Sequence, residues 1–125
     1  DDTLMARSDY IESNYGVDAG DTNTTAVQID IGWINIAVRQ YRLDNYIAPT
    51  TEQGLAALIT PSEVEPLPRN FKEGGYLKET PFDPWGNPYQ YASPGSERDF
   101  DIWSWGADGK KGGTGEAADI GNWMF

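Results

Sequence analysis

From Thr24 onward, Val27, Ile31, Ile34, Val38 and Tyr41 recur at spacings of four, three, four and three, the period of one face of an α-helix. A helix with such a stripe has to bury it, and the later segments of the chain are short and broken by turn signals. Its cover is therefore a small sheet. A second set, Ile29, Trp33, Ile36 and Leu43, lies on a neighbouring face, so the helix is apolar over more than the usual stripe. This width predicts two contacts: the helix's own sheet, and either a subunit neighbour or more of the same core. Arg39, Arg42 and Asp44 mark the solvent side and its end.

Residues 1–23 carry six acids against the single basic Arg7, with Gly16 and Gly20 interrupting any helical pattern. They read as an acidic lead-in, partly flexible and without an assigned function, ahead of a globular domain over residues 24–125. Beyond the main helix, Pro49 forces extended backbone, and Thr50 with Gln53 has the spacing of a capping box. A short second helix is predicted over Leu55–Ile59, ending before Pro61. Residues 61–71 form a proline-punctuated surface loop. PFDPWGNP, from Pro81 to Pro88, is dense in turn signals around Trp85, which plugs a core edge. Tyr89 and Tyr91, then Phe100, Ile102 and Ser104, alternate across the SPG turn at 93–95 and read as a hairpin. Ile120–Phe125 suits a last strand. The fold class is α+β: a long N-terminal helix packed on a small antiparallel sheet.

The chain of 125 residues suits one domain that buries about two-thirds of its unfolded surface. Its net charge of −11 and pI near 4.1 exclude nucleic acid and anionic membrane surfaces as natural partners, since both repel an acidic protein. The longest strongly apolar run, Ile31–Val38, is far short of the roughly 20 residues that span a bilayer, so a soluble domain is expected.

The stretch WSWGADGKKGGTGEAADIGNW, from Trp103 to Trp123, has aromatic residues at both ends. Between them lie five glycines from Gly106 to Gly115 and three acids, Asp108, Glu116 and Asp119. A loop this long inside a small domain is either functional or unstructured. With no Cys and no His in the chain, neither a disulfide nor a typical zinc site can hold it. Carboxylates combined with backbone carbonyls are the ligand set of Ca²⁺. As an EF-hand the stretch fails, because Lys110 and Gly112 fall at positions 3 and 5 and helical flanks are lacking. GGTGE occurs once and lacks the Asp of the Ca²⁺-binding β-helix repeat. Two readings remain: a locally built Ca²⁺ loop, with the last strand returning Asp119 toward Asp108, and a polar hairpin loop whose acids are merely solvated.

Read in order, YRLDN, PTTEQGLAAL, PRNFKEGGYLKETPFDPWGNPYQYASPG and FDIWSWGADGKKGGTGEAADIGNW resemble the major pseudopilin family of the bacterial type II secretion system, from about Tyr41 to Trp123. The resemblance implies a type IV pilin-like fold, with a Ca-binding loop between the last strands. It also implies an apolar N-terminal helix that anchors in the inner membrane and forms the core of the pseudopilus. The sequence does not contain that helix, so a shortened periplasmic domain is expected, tied to the membrane only through the missing segment. The implied function is structural: copies polymerise into the periplasmic pseudopilus with minor pseudopilins and the inner-membrane assembly platform, supporting export of folded proteins. No catalysis is implied, and no phosphate-binding P-loop occurs. Asp108 in GADG and Asp119 in ADI match the family's side-chain Ca²⁺ ligands, and Trp105 falls where a backbone carbonyl is contributed. Ala118 stands where some members carry a second acid. Its carbonyl and Glu116 are secondary candidates for completing the six to eight ligands. Two departures stand out: residues 1–23, and DNYIAP at 44–49, where the family usually has a glycine and an aromatic before the proline.

Two rival readings use the same residues. Asp99 and Asp101, two apart on a strand, have the spacing of paired carboxylates in a glycoside hydrolase, although such acids are ordinarily solvated or paired with Lys and Arg. The five Trp and seven Tyr suit the stacking platforms of a calcium-dependent carbohydrate-binding module, although Trp85, Trp103, Trp105 and Trp123 sit where plugging a small core is the commoner task.

Overall fold

The computed structural model describes residues 22–107 and 119–124. Helix α1 runs over Thr22–Asn45. Its stripe is buried as the spacing requires: Val27, Ile31, Ile34, Val38 and Tyr41 are each no more than 2% exposed. Burying a side chain of this size stabilises a fold by roughly 1.5–3 kcal/mol, so one helix face supplies a large part of the driving force. It packs on the sheet side chains Tyr91, Ile102 and Ile120 and on Tyr89 and Phe100, which flank the strands. The second apolar face divides. Ile29 is buried in a small cluster with Ala26 and Trp33, whereas Ile36 and Leu43 remain 48% and 79% exposed. Among the described residues no helix is long and apolar enough to cross a membrane. The acidic lead-in lies outside the described residues, apart from the first helical positions.

The sheet has three antiparallel strands in the order β1 (Gln90–Ala92), β2 (Asp101–Ser104) and β3 (Ile120–Gly121). Tyr91 pairs with Ile102, Trp103 with Gly121 and Ser104 with Ile120. The hairpin expected around SPG is thus present. The expected strand over 120–125 is shorter, because a 3-10 turn over Asn122–Met124 replaces its second half. The cause is a side chain that takes over the ladder. Asn122 Nδ2 donates to the Phe100 carbonyl at 3.0 Å and its Oδ1 accepts from the Ile102 N–H at 3.2 Å. The Trp123 ring then lies over Gly121, where a Cβ would come within 2.3 Å of it.

The second helix is also shorter than predicted. Thr50 and Gln53 do form the reciprocal bonds of a capping box, Thr50 N–H to Gln53 Oε1 at 2.9 Å and Gln53 N–H to Thr50 Oγ1 at 3.2 Å. Gly54, with φ near +67°, then breaks the helical path, and the chain continues as a 3-10 turn at Leu55–Leu58. Gln53 has a second task. Its Nε2 donates to the Val64 and Pro66 carbonyls, both at 2.7 Å, and this clamps the proline-rich loop. Trp85 packs against the core edge as expected.

The C-terminus of α1 carries one of the two departures. Asn45 is buried and faces inward. Its Nδ2 donates to the Tyr41 carbonyl and its Oδ1 accepts from the Asn70 N–H. The next residue, Tyr46, stands at φ +76° and donates its N–H to the Arg42 carbonyl at 2.7 Å, the left-handed helix stop that glycine ordinarily supplies. A side chain in that region costs about 1–2 kcal/mol. The Tyr46 ring is exposed and is stacked by Arg69 at 5.4 Å, an interaction worth about 0.5–1 kcal/mol at such a site. The strain outweighs the stacking. Tyr46→Gly is therefore expected to raise stability by roughly 0.5–1 kcal/mol in urea unfolding; a lowered midpoint would mean that the stacking dominates.

Candidate functional site

Strand β2 delivers the chain to the glycine-rich loop and β3 receives it. Ser104 pairs with Ile120, so Trp105 and Asp119 are the next positions along the two strands, one residue outside the last pair. Asp119 and Trp105 are both half-buried and line one cavity of about 680 Å³ with Trp103, Trp123, Arg98 and Asp101. The structure thus brings two of the five candidate ligand positions together. Asp108, Glu116 and Ala118 lie outside the described residues. Carboxylates and backbone carbonyls are hard oxygen donors, which fit Ca²⁺ and suit softer metals poorly. No three His, Cys, Asp or Glu side chains among the described residues form a metal cluster.

The aromatic side chains of the cavity occupy one another. Trp103 and Trp123 meet at 6.2 Å between ring centroids, and the Arg98 guanidinium lies 5.8 Å from the Trp123 ring. This follows from the register, since Trp103 pairs with Gly121 and the bare glycine lets Trp123 fold back over the strand.

Asp99 and Asp101 do not form a catalytic pair. Asp99 is exposed and is held by Arg42 of α1 at 2.8 Å. Asp101 is buried, accepting from Arg98 Nη1 at 2.6 Å and from the Ser96 N–H at 3.0 Å. Burial pushes its carboxyl upward, but the Ser96 N–H and the Arg98 guanidinium together outweigh burial and hold it below the usual carboxylate range. A depressed carboxyl stabilises the fold above its unfolded value of about 3.9, and that contribution is lost as the pH falls through the lower folded value. Urea unfolding of Asp101→Asn is accordingly expected to show lower stability at neutral pH and a shallower decline below about pH 4 than the unsubstituted chain. Parallel acid profiles would contradict the stabilising pair.

Sequence reasoning did not single out the buried, mutually bonded pair Ser104 and Asp83 beside the Trp105 position. Ser104 is fully buried behind the Trp105 position and Asp83 is 3% exposed. PFDPWGNP announces a turn, but nothing in its pattern says that the aspartate of that turn points into the protein. The one available signal was alternation, which puts Ser104 on the same face as Phe100 and Ile102.

The comparisons with known proteins agree with this architecture. The family model described as type II secretion system (T2SS), protein G, matches residues 14–123. The type II secretion system core protein G of Pseudomonas aeruginosa is 52% identical over 99 residues, covering 79% of this chain and 70% of that protein. The core protein G of Vibrio cholerae is 54% identical over 94 residues, covering 75% and 64%. The chain thus spans about two-thirds of the length of these relatives. Among solved structures, the major pseudopilin from the type 2 secretion system of enterohaemorrhagic Escherichia coli superposes with a TM-score of 0.76 at 43% identity, covering 84% of this chain and 90% of that one. With one model matching nearly its whole length and relatives above 50% identity, the chain belongs to the type II secretion system protein G family.

Proposed function

We propose that the chain is the periplasmic portion of a major pseudopilin, a structural subunit that polymerises with copies of itself into the pseudopilus of a type II secretion system and so supports export of folded proteins across the outer membrane. The observation that carries this reading is the family membership over residues 14–123, joined to the long helix on a three-stranded antiparallel sheet. Minor pseudopilins and the inner-membrane assembly platform are its partners. The reading involves no catalysis. Neither rival has support. The two carboxylates of a glycoside hydrolase are engaged by Arg42 and Arg98, and the relatives bear the names of secretion-system core proteins, not of carbohydrate-binding modules.

The same reading assigns a Ca²⁺ ion to the ends of β2 and β3, with the carboxylates of Asp108 and Asp119 and the carbonyl of Trp105 as ligands. Glu116 and the carbonyl of Ala118 complete the shell. Bound there, Ca²⁺ supplies a hard divalent charge that joins acids which would otherwise repel. The chain's own contribution is to fix the two strand ends one residue beyond the Ser104–Ile120 pair. With few carboxylates the affinity belongs to the modest extracellular class, roughly 10⁻⁴–10⁻³ M at the weak end.

Two measurements test the two parts. Fused to the anchoring helix of the host protein, the chain is expected to restore secretion in a bacterium lacking its own core protein G; a stable, membrane-inserted fusion that restores nothing would contradict the subunit role. Thermal unfolding is expected to show a midpoint higher in millimolar Ca²⁺ than in EDTA or Mg²⁺, the stabilisation reaching about 2.7 kcal/mol where Ca²⁺ is 100 times the dissociation constant, roughly 10–100 mM for this affinity class. Asp108→Ala is expected to abolish the difference, and equal midpoints for the unsubstituted chain would remove the metal from the reading.

A further inference from the structure

The Trp105–Gly106 peptide is held from behind. Gly106 is buried, and its N–H donates to Ser104 Oγ at 3.0 Å. The single hydroxyl proton of Ser104 goes the other way, to Asp83 Oδ2 at 2.7 Å. The Ser104 hydroxyl has one hydrogen to donate, which it spends on Asp83 Oδ2, and its oxygen is left to accept from the Gly106 N–H. Asp83 is itself immobilised by the turn it closes. Its Oδ1 accepts from the Trp85 and Asn87 N–H groups at 3.1 and 2.8 Å, and its backbone N–H donates to the Asn87 carbonyl at 2.7 Å. Asp83 and Ser104 are 3% and 0% exposed. Among the described residues no Lys or Arg pairs with Asp83, so hydrogen bonds alone satisfy its carboxylate.

In a trans peptide the N–H and the preceding C=O point in opposite directions. Drawing the Gly106 N–H inward to Ser104 therefore turns the Trp105 carbonyl away from Ser104, outward from the buried side of the strand. Gly106, at φ +84°, lets the chain turn at once without altering that peptide plane. Without the hydroxyl, a buried N–H loses its partner, and rotating the peptide to find another would carry the carbonyl with it.

We propose that Asp83, acting through Ser104, is a positioning residue that aims the Trp105 carbonyl and thereby sets the Ca²⁺ affinity of the loop. The proposal rests on the Ca²⁺ reading and deepens it. It couples the PFDPWGNP turn to the metal loop through two buried side chains, Asp83 and Ser104, 21 residues apart in sequence. Neither is itself a ligand candidate, so both would act as do the outer partners that orient first ligands in metal sites generally.

The test is Ca²⁺ titration by isothermal calorimetry on the unsubstituted chain, Ser104→Ala and Asp83→Asn, with unfolding midpoints of each in EDTA. Asp83→Asn keeps the side chain's size but leaves one acceptor oxygen where three donors need two. It serves as the second variant should Ser104→Ala fail to fold. Each folded variant is expected to bind Ca²⁺ about 10–100-fold more weakly, the usual range for removal of an outer partner. A lowered EDTA midpoint with unchanged Ca²⁺ affinity would reduce the network to a structural role and overturn the proposal, leaving the Ca²⁺ reading intact. Absence of Ca²⁺ binding by the unsubstituted chain would overturn both.

Discussion

The whole fold depends on one burial: the inward face of α1 against a sheet of three very short strands. A sheet of three, four and two residues has too few ladder hydrogen bonds and too little apolar surface to stand alone. The helix supplies what it lacks. Ile34, Val38 and Tyr41 share one core with Tyr91, Ile102 and Ile120, so the strands hold their register because shifting one by a single residue would turn its buried set outward. Arg42 reaching to Asp99 and the Tyr89 hydroxyl donating to Asp30 at 2.6 Å add polar ties between the same two layers. Exposed ion pairs of the first kind contribute little. Apolar burial decides the architecture.

That burial was readable in the sequence, because a 3.6-residue period over fifteen residues admits one interpretation. The hairpin was readable for a similar reason, with Tyr91 and Ile102 alternating on either side of a turn. What escaped was governed by single side chains. Thr50 and Gln53 carried the right capping spacing and make the bonds, yet Gly54 diverts the backbone before a full helix can form. Ile120–Phe125 has strand composition, but the Asn122 amide competes for the same β2 groups and wins by offering both a donor and an acceptor. The second apolar face of α1 showed how wide the stripe is without showing that Leu43 would stay in solvent.

The candidate site was legible in part. The family resemblance named Trp105 and Asp119 among the ligand candidates, and the Ser104–Ile120 pair puts these two at adjacent strand ends; the expected return of Asp119 toward Asp108 lies outside the described residues. Residue types marked the acids of the loop, since carboxylates and glycines announce themselves by composition. The groups behind them did not. A buried aspartate satisfied by three donors looks, in sequence, like any other turn aspartate, and only the crossing of the 81–88 turn behind β2 joins it to Ser104. Outer partners of this kind are set by tertiary packing, which no local pattern encodes.

The brevity of the sheet's edges has a consequence for how such subunits meet. A long exposed edge strand is an open template on which a second chain can add its own backbone, and a protein brought to high local density runs that risk continuously. Here one edge offers three residues. At the other, the strand ends after two, its continuation is coiled into a 3-10 turn, and the bonds that a neighbour's backbone would seek on β2 are already taken by the Asn122 side chain. Among the described residues, backbone-to-backbone annexation thus has no more than three residues to work with at either margin. In the proposed polymer, contact between copies therefore falls to side chains on the helix and loops, where shape and charge can discriminate a proper neighbour from an accidental one.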